Sequence, residues 1–376
     1  MIILDTSVLL EVGVIGENPV IMYEVLLELD RLKGKMMSAR RAISEIKDKK
    51  DFIKLMPPMA IEGTVDHKIM VTGRENGWEV ATNDIALSLL CEANGVKTQE
   101  HKKDIDVGLG YHWVRTPSEI GRGCEVGEYN FLIDEVGFVE GVYYIDKPGS
   151  GIPLDEDIAI RSSHTKTIRP LDEFQWCAFD SLQRNDFTIL TGSAGSGKTL
   201  LSLSWALQQI STGKASKLVI FTNPTKTRGA QELGFYKGDR NAKLMQDSIG
   251  SILSSKLGSM IELERMIEDE MIIILPMSDI RGYEVPEDAI LYITEAQNTS
   301  ADLMKLALQR VGDTCQVIVE GDPFTQLDNK LYSGESNGMI RAIQVFKGHK
   351  GFSHVHLPTV RRSVIAEIAE KMTETQ

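Results

Sequence analysis

The stretch Gly192-Ser193-Ala194-Gly195-Ser196-Gly197-Lys198-Thr199 fits the pattern G-x-x-x-x-G-K-[ST] at every specified position. Its residue types suit one chemistry. Glycines let a backbone curl until its N–H groups point at phosphate oxygens, and a helix starting there adds a partial positive charge. In such a loop Lys198 reaches the β- and γ-phosphates of a nucleoside triphosphate, and the Thr199 hydroxyl is a ligand of Mg²⁺. Later in the chain, Glu295 follows an apolar run and can polarise an attacking water. Gln326 follows the next run and can sense the γ-phosphate, while Asp322 holds the loop before it. Gln175, ahead of the glycine-rich stretch, can hydrogen-bond adenine with both amide groups. These positions imply binding and hydrolysis of ATP with Mg²⁺.

A second set of residues is acidic. Asp5 and Asp84 lie at the carboxyl ends of candidate strands, and Glu28 and Asp66 lie on or at the start of candidate helices. Four converging carboxylates repel one another unless a divalent metal sits among them. Such a metal can activate water and stabilise the leaving oxygen of a phosphodiester. Aspartates at these positions are also common helix caps, and spacing alone leaves both readings open.

The elements around both sets read as α/β structure. Phe187–Thr191 (FTILT) is a short buried strand before the glycine-rich loop, and Leu200–Ile210 is an apolar-striped helix after it. Lys217–Thr222, Met271–Leu275, Ala289–Thr294, Cys315–Val319 and His354–Leu357 read as further strands with helices between them, and Val360–Met372 as a closing helix. That alternation predicts a RecA-like doubly wound domain. The first hundred residues alternate in the same way. Strands are expected at Met1–Leu4, Val20–Tyr23, Trp78–Thr82 and Val96–Thr98, with helices at Glu24–Lys33, Ser38–Lys50, Asp66–Arg74 and Ile85–Ala93. Between the two lies His101–Thr167, with strands at Asn130–Ile133 and Gly141–Asp146; its Tyr143 and Tyr144 could contact RNA, but the expected place for them is the core. The division is 1–100, an α/β/α sandwich; 101–168, a β-rich connector; and 169–376, the P-loop domain.

Composition narrows the classes of function. The chain has 376 residues, 42% of them hydrophobic, and a net charge of −13, which does not advertise a nucleic-acid binder. The distribution is more telling. From Arg31 to Lys54 there are nine Lys/Arg against three Asp/Glu, a basic stretch that could hold a phosphate backbone if a site lies beside it. No apolar run approaches the ~20 residues that span a membrane, and no secretory signal opens the chain. Cys91, Cys124, Cys177 and Cys315 lie far apart, which suits a reducing cytoplasm rather than a disulfide frame.

Two resemblances follow from these motifs. Asp5-Thr-Ser-x-Leu-Leu10, Leu27-Glu28-Leu-Asp-x-Leu-Lys33, Asp66 and Ala81-Thr-Asn-Asp84 resemble the PIN-domain nucleases over roughly the first 100 residues. That resemblance implies that Asp5, Glu28, Asp66 and Asp84 bind Mg²⁺ or Mn²⁺ and that the domain cuts single-stranded RNA. From Arg169 onward the chain resembles the PhoH-like ATPases. The residues that carry this are the glycine-rich loop, Glu232-Leu-Gly-Phe-x-x-Gly-Asp239, Arg281-Gly282, Glu295-Ala-Gln-Asn298 and Gly321-Asp-Pro-x-x-Gln326. A PIN domain fused ahead of such an ATPase implies an ATP-dependent RNA helicase–ribonuclease working as a homo-oligomer, in ring form. In such a ring Arg361 or Arg362 could reach a neighbour's nucleotide.

The chain departs from that pattern twice. Its strand ends Thr294-Glu295 where the family has Asp-Glu, so a carboxylate that supports Mg²⁺ is missing. Asn223-Pro224 replaces Arg-Pro, with Arg228 a substitute cation. The first departure keeps a second reading in play, an ATP-switched remodelling or binding protein with a silent nuclease site. The residues do not separate RNA from DNA, because 2′-hydroxyl recognition leaves no short motif.

Overall fold

The computed structural model describes residues 1–34, 37–101, 107–155, 157–161, 167–222, 248–324 and 336–360. The chain divides into two compact units, one over Met1–Asp106 and Gly334–Ser336 and one over Val107–Ser333 and Asn337–Gln376.

The first unit runs β1 (Ile2–Leu4), α1 (Thr6–Glu11), β2 (Pro19–Met22), α2 (Tyr23–Leu32), α3 (Met37–Asp48), β3 (Lys54–Met56), α4 (Val65–Asn76), β4 (Glu79–Ala81), α5 (Ile85–Ala93) and β5 (Thr98–Gln99). Its strands lie in the order β3-β2-β1-β4-β5, and every pair is parallel. Parallel strands covered on both faces read as apolar runs, and Ile3, Leu4, Val20, Ile21 and Met22 are all buried. Helix α4 stops at Gly77, whose φ of 66° is the left-handed conformation glycine adopts without strain. The chain steps from β1 to β2 and β3 on one side and returns to β4 on the other. That reversal between β1 and β4 creates the crevice in which open α/β sheets bind ligands.

The second unit opens with a four-stranded sheet, β6 (Tyr111–Val114), β7 (Tyr129–Ile133), β8 (Val139–Lys147) and β9 (Ser150–Pro153), in that order. Its middle strands bury Tyr129, Phe131 and Tyr144 in the same apolar core as Cys177, Ala178 and Leu182 of α6 (Glu173–Arg184). Two hydrogen bonds tie them further. Tyr129 donates to Asp180 Oδ2 at 3.1 Å, and Tyr144 donates to Asn185 Oδ1 at 3.0 Å. The segment expected as a connector therefore shares its core with the elements that follow it.

The rest of the unit runs β10 (Phe187–Thr191), α7 (Lys198–Ser211), β11 (Lys217–Thr222), α8 (Ser248–Leu257), α9 (Met260–Glu268), β12 (Ile272–Pro276), β13 (Ala289–Ile293), α10 (Ala301–Leu308), β14 (Gln316–Gly321), α11 (Gly338–Phe346) and β15 (Phe352–His356). These strands form a six-stranded parallel sheet in the order β12-β11-β13-β14-β10-β15. Its central strands β10, β13 and β14 end on one edge, and β14 pairs with both of the others. Among the described residues no helix is long and apolar enough to cross a membrane.

Candidate nucleotide and metal sites

The glycine-rich loop joins β10 to α7, as its spacing requires. Gly192, Gly195 and Gly197 have φ of 142°, 89° and 101°, a region closed to most side chains. Gly192 is doubly constrained, because an added Cβ would lie 2.3 Å from the carbonyl oxygen of Leu357. Gly197 caps the helix, and Lys198 begins it. The Lys198 ammonium is buried and donates to the carbonyls of Gly192 and Ser193 inside the loop. The Ser196 hydroxyl is buried beside them without a hydrogen-bond partner. Gln175 packs against the loop, with Nε2 3.3 Å from the place of a Gly197 Cβ, and its Oε1 accepts from the Leu171 N–H at 3.1 Å.

Across the sheet edge, Glu295 follows β13 in the left-handed region at φ 50°, one of two described non-glycine residues with positive φ. Such a conformation costs ~1–3 kcal/mol and persists only where the surroundings fix it. The neighbouring Gln297 does part of that fixing. Its Nε2 donates to Glu295 Oε2 at 2.6 Å, and its Oε1 accepts from the Asp322 N–H at 3.3 Å. Asp322 in turn accepts from the Phe324 N–H at 3.1 Å and shapes the loop after β14. Glu295 is exposed at this edge, while Asp322 is buried.

One acid at this edge escaped the sequence reading. Glu320, near the end of β14, is buried, and its Oε1 accepts from Thr199 Oγ1 at 2.8 Å and Thr294 Oγ1 at 3.0 Å. The Tyr292 hydroxyl donates to the same oxygen. Oε2 is buried with no hydrogen-bond partner. Burial raises the Glu320 carboxyl above its ordinary range, and the Lys198 charge opposes that rise. The signal in the sequence was an ionisable residue inside an otherwise apolar run. Gln326, Arg361, Arg362, Asn223, Pro224, Arg228, the Glu232–Asp239 motif and the closing helix lie outside the described residues.

In the first unit Asp5 caps α1 and is buried. It accepts from the N–H of Thr6 and Ser7, the Ser7 hydroxyl at 2.6 Å and the Thr82 hydroxyl at 2.9 Å. Asp84 caps α5 through the N–H groups of Ala86 and Leu87. Glu28 Oε2 accepts from the Thr6 hydroxyl at 2.6 Å. The Asp66 carboxyl is raised first by burial and then by the charges of Asp5, Asp84 and Glu28. All four acids thus share one electrostatic neighbourhood. Their oxygens are not yet gathered to bind an ion, since the only described group of three with ligand atoms within 4.8 Å of one another is His112, Cys124 and Glu128. Part of the basic stretch is already paired within the unit. Lys49 meets Glu45 at 2.7 Å, Lys33 meets Asp30, and Lys54 lies over the Trp78 ring.

A family model described as PhoH-like protein matches residues 167–373. The chain belongs to the PhoH-like family. Among PhoH-like relatives, Protein PhoH2 of Thermobispora bispora is 29% identical over 208 residues, which are 53% of this chain and 46% of that protein. The PhoH-like protein of Bacillus subtilis is 28% identical over 267 residues, 67% of this chain and 76% of its own. Protein PhoH2 of Bacillus subtilis is 29% identical over 252 residues, 64% of this chain and 55% of its own. The chain spans about half the length of the two PhoH2 relatives. Among solved structures, the large terminase of a thermophilic bacteriophage aligns at a TM-score of 0.34 and 14% identity, covering 55% of this chain and 51% of the terminase. That likeness is too slight to bear on fold or activity. The family match begins two residues before Arg169 and includes the phosphate loop, Glu295 and Glu320.

Proposed function

We propose that this PhoH-like chain is an ATP-dependent RNA helicase–ribonuclease. Its second unit hydrolyses ATP to move or unwind RNA, and its first unit cuts single-stranded RNA at a metal site. The observation that carries the reading is the glycine loop in left-handed conformation, with Lys198 and Thr199 opening α7 and Glu295 held at the same sheet edge. These residues fit a magnesium nucleotide. Buried Lys198 and the loop N–H groups would hold the phosphates, Thr199 would be a metal ligand, and Glu295 would orient the attacking water. Bound Mg²⁺ supplies charge that offsets what develops on the transferring phosphoryl group. Gln175 keeps its Nε2 for adenine, since its Oε1 already accepts from Leu171.

The nuclease half rests on Asp5, Glu28, Asp66 and Asp84, whose mutual repulsion at Asp66 favours a divalent cation. A second reading, a nucleotide-switched remodelling protein with a silent nuclease, is favoured by Asp5 and Asp84 being engaged as helix caps. Labelled single-stranded RNA incubated with Mn²⁺ or Mg²⁺, with and without ATP, separates the two. Cleavage that Asp84→Asn abolishes and Lys198→Ala retains supports a nuclease with a separable motor. Absence of cleavage in every metal, with ATP still hydrolysed, supports the switch.

A further inference from the structure

P-loop NTPases hold Mg²⁺ with the loop Ser/Thr and a carboxylate from the end of a neighbouring strand. Here β13 is followed by Thr294, which brings a hydroxyl and no charge. Sequence order alone leaves the site one acid short. The sheet supplies one from another strand.

Strand β14 lies between β13 and β10, so its carboxyl end faces both Thr294 and the start of α7. Glu320 stands there with Oε1 accepting from Thr199, Thr294 and Tyr292. Three hydroxyl donors onto one oxygen orient the carboxylate and leave Oε2 unused. That oxygen is only 2% exposed with its residue and has no hydrogen-bond partner. A buried group left unsatisfied costs ~1–3 kcal/mol, so a purely structural hub would be expected to pair both oxygens. The cation whose field acts on Glu320 is Lys198, the phosphate-binding lysine of the loop. A carboxylate oriented by the proposed metal ligand Thr199, with a free buried oxygen beside it, is built to meet a hydrated cation.

We infer that Glu320 is the acidic partner of the magnesium nucleotide in this site and fills the place that Thr294 leaves without charge. The inference rests on the proposal that the P-loop holds such a nucleotide. Thr294 then has a defined part, donating to Glu320 as Thr199 does. The carboxylate then comes from β14 instead of from the residue after β13, and the site keeps one.

The test titrates MgCl₂ into the full chain with a fluorescent ATP analogue and reads binding, with EDTA as the metal-free reference. Wild type, Glu320→Gln, the double variant Thr294→Asp/Glu320→Thr and Lys198→Ala are compared, each with a thermal melt. Glu320→Gln is expected to raise the Mg²⁺ midpoint at least tenfold. An unchanged midpoint in a folded Glu320→Gln protein would overturn the inference. Should Glu320→Gln fail to melt cooperatively, the double variant decides. A midpoint within about threefold of wild type supports an exchange of one carboxylate for another. A midpoint tenfold below wild type overturns it, because the site would then have lacked an acid until one was added. Failure of the nucleotide reading looks different, since wild type would then bind the analogue no better than Lys198→Ala at any Mg²⁺ concentration.

Discussion

The hydroxyl of Thr199 donates to the carboxylate of Glu320 at 2.8 Å, joining the first turn of α7 to the end of β14. That contact changes the meaning of Thr294. As a sequence, Thr294-Glu295 is a motif with its aspartate missing. In the folded sheet, the Thr294 hydroxyl bonds to an acid on the adjacent strand.

Restoring the apparently missing aspartate should therefore harm the protein. Thr294→Asp sets a second carboxylate against buried Glu320, where the Lys198 charge already serves the first. An uncompensated buried charge costs roughly 3–5 kcal/mol. Urea unfolding in EDTA should show a loss of that order for Thr294→Asp, largely recovered when Glu320→Thr is added. Equal stability of Thr294→Asp and wild type would contradict the arrangement.

Glu295 is exposed at the sheet edge, and its side chain accepts from Gln297 alone among the described hydrogen bonds. Glu295→Gln keeps the shape and removes the charge proposed to polarise the attacking water. Loss of a general base typically lowers rate ~10²–10⁴-fold. ATP hydrolysis should fall by that range while binding of the ATP analogue changes less than threefold. A parallel loss of binding would assign Glu295 to holding the loop instead.

The phosphate loop was legible in the sequence because its signal is local. Glycines, lysine and threonine fall within eight consecutive positions, and the strand and helix flank them directly. Asp5 and Asp84 were legible as strand-end acids, since the apolar runs before them are short and sharply bounded. Strand β3 was not, because Lys54 and Leu55 are exposed at the sheet edge and lack an apolar run. Strand β2 was expected to end at Tyr23, which instead opens α2, a half-exposed aromatic that suits either element. Glu320 was missed for a different reason. Its partner Thr199 is 121 residues away, so only the order of strands in the sheet brings them together.

Acid should weaken the second unit in a definite window. Burial lowers the His354 imidazole from 6.5 to about 3, with His356 and Lys347 adding to the effect. A folded-state pKa below the unfolded one means that unfolded chains bind the extra proton. Stability is then complete above 6.5 and declines as pH falls toward 3, by about 2 kcal/mol at pH 5. Glu128 acts lower. Hydrogen bonds from His112, Glu125 N–H and Lys347 outweigh its burial and hold it at about 2 instead of 4.5, so its contribution fades only below 4.5. Denaturation midpoints between pH 7 and pH 5 should fall in wild type and flatten in His354→Gln. Equal slopes would assign the acid response elsewhere.

The first unit carries a complementary prediction. Burial and the charges of Asp5, Asp84 and Glu28 raise the Asp66 carboxyl above 3.8, so its ionised form opposes folding at neutral pH. Asp66→Asn should raise the melting temperature of this unit in EDTA and abolish any further rise on adding Mn²⁺. Wild type should show that Mn²⁺ rise. A wild-type melt insensitive to Mn²⁺ would contradict a metal site among these acids and leave Asp5 and Asp84 as helix caps alone.

The decisive measurement is phosphate release from ATP with and without single-stranded RNA, for wild type, Lys198→Ala and Glu295→Gln. An RNA-coupled ATPase should release phosphate faster when RNA is present, at least fivefold, and neither variant should respond. Hydrolysis indifferent to RNA, or activity surviving in Lys198→Ala, would contradict the coupling of this nucleotide site to RNA.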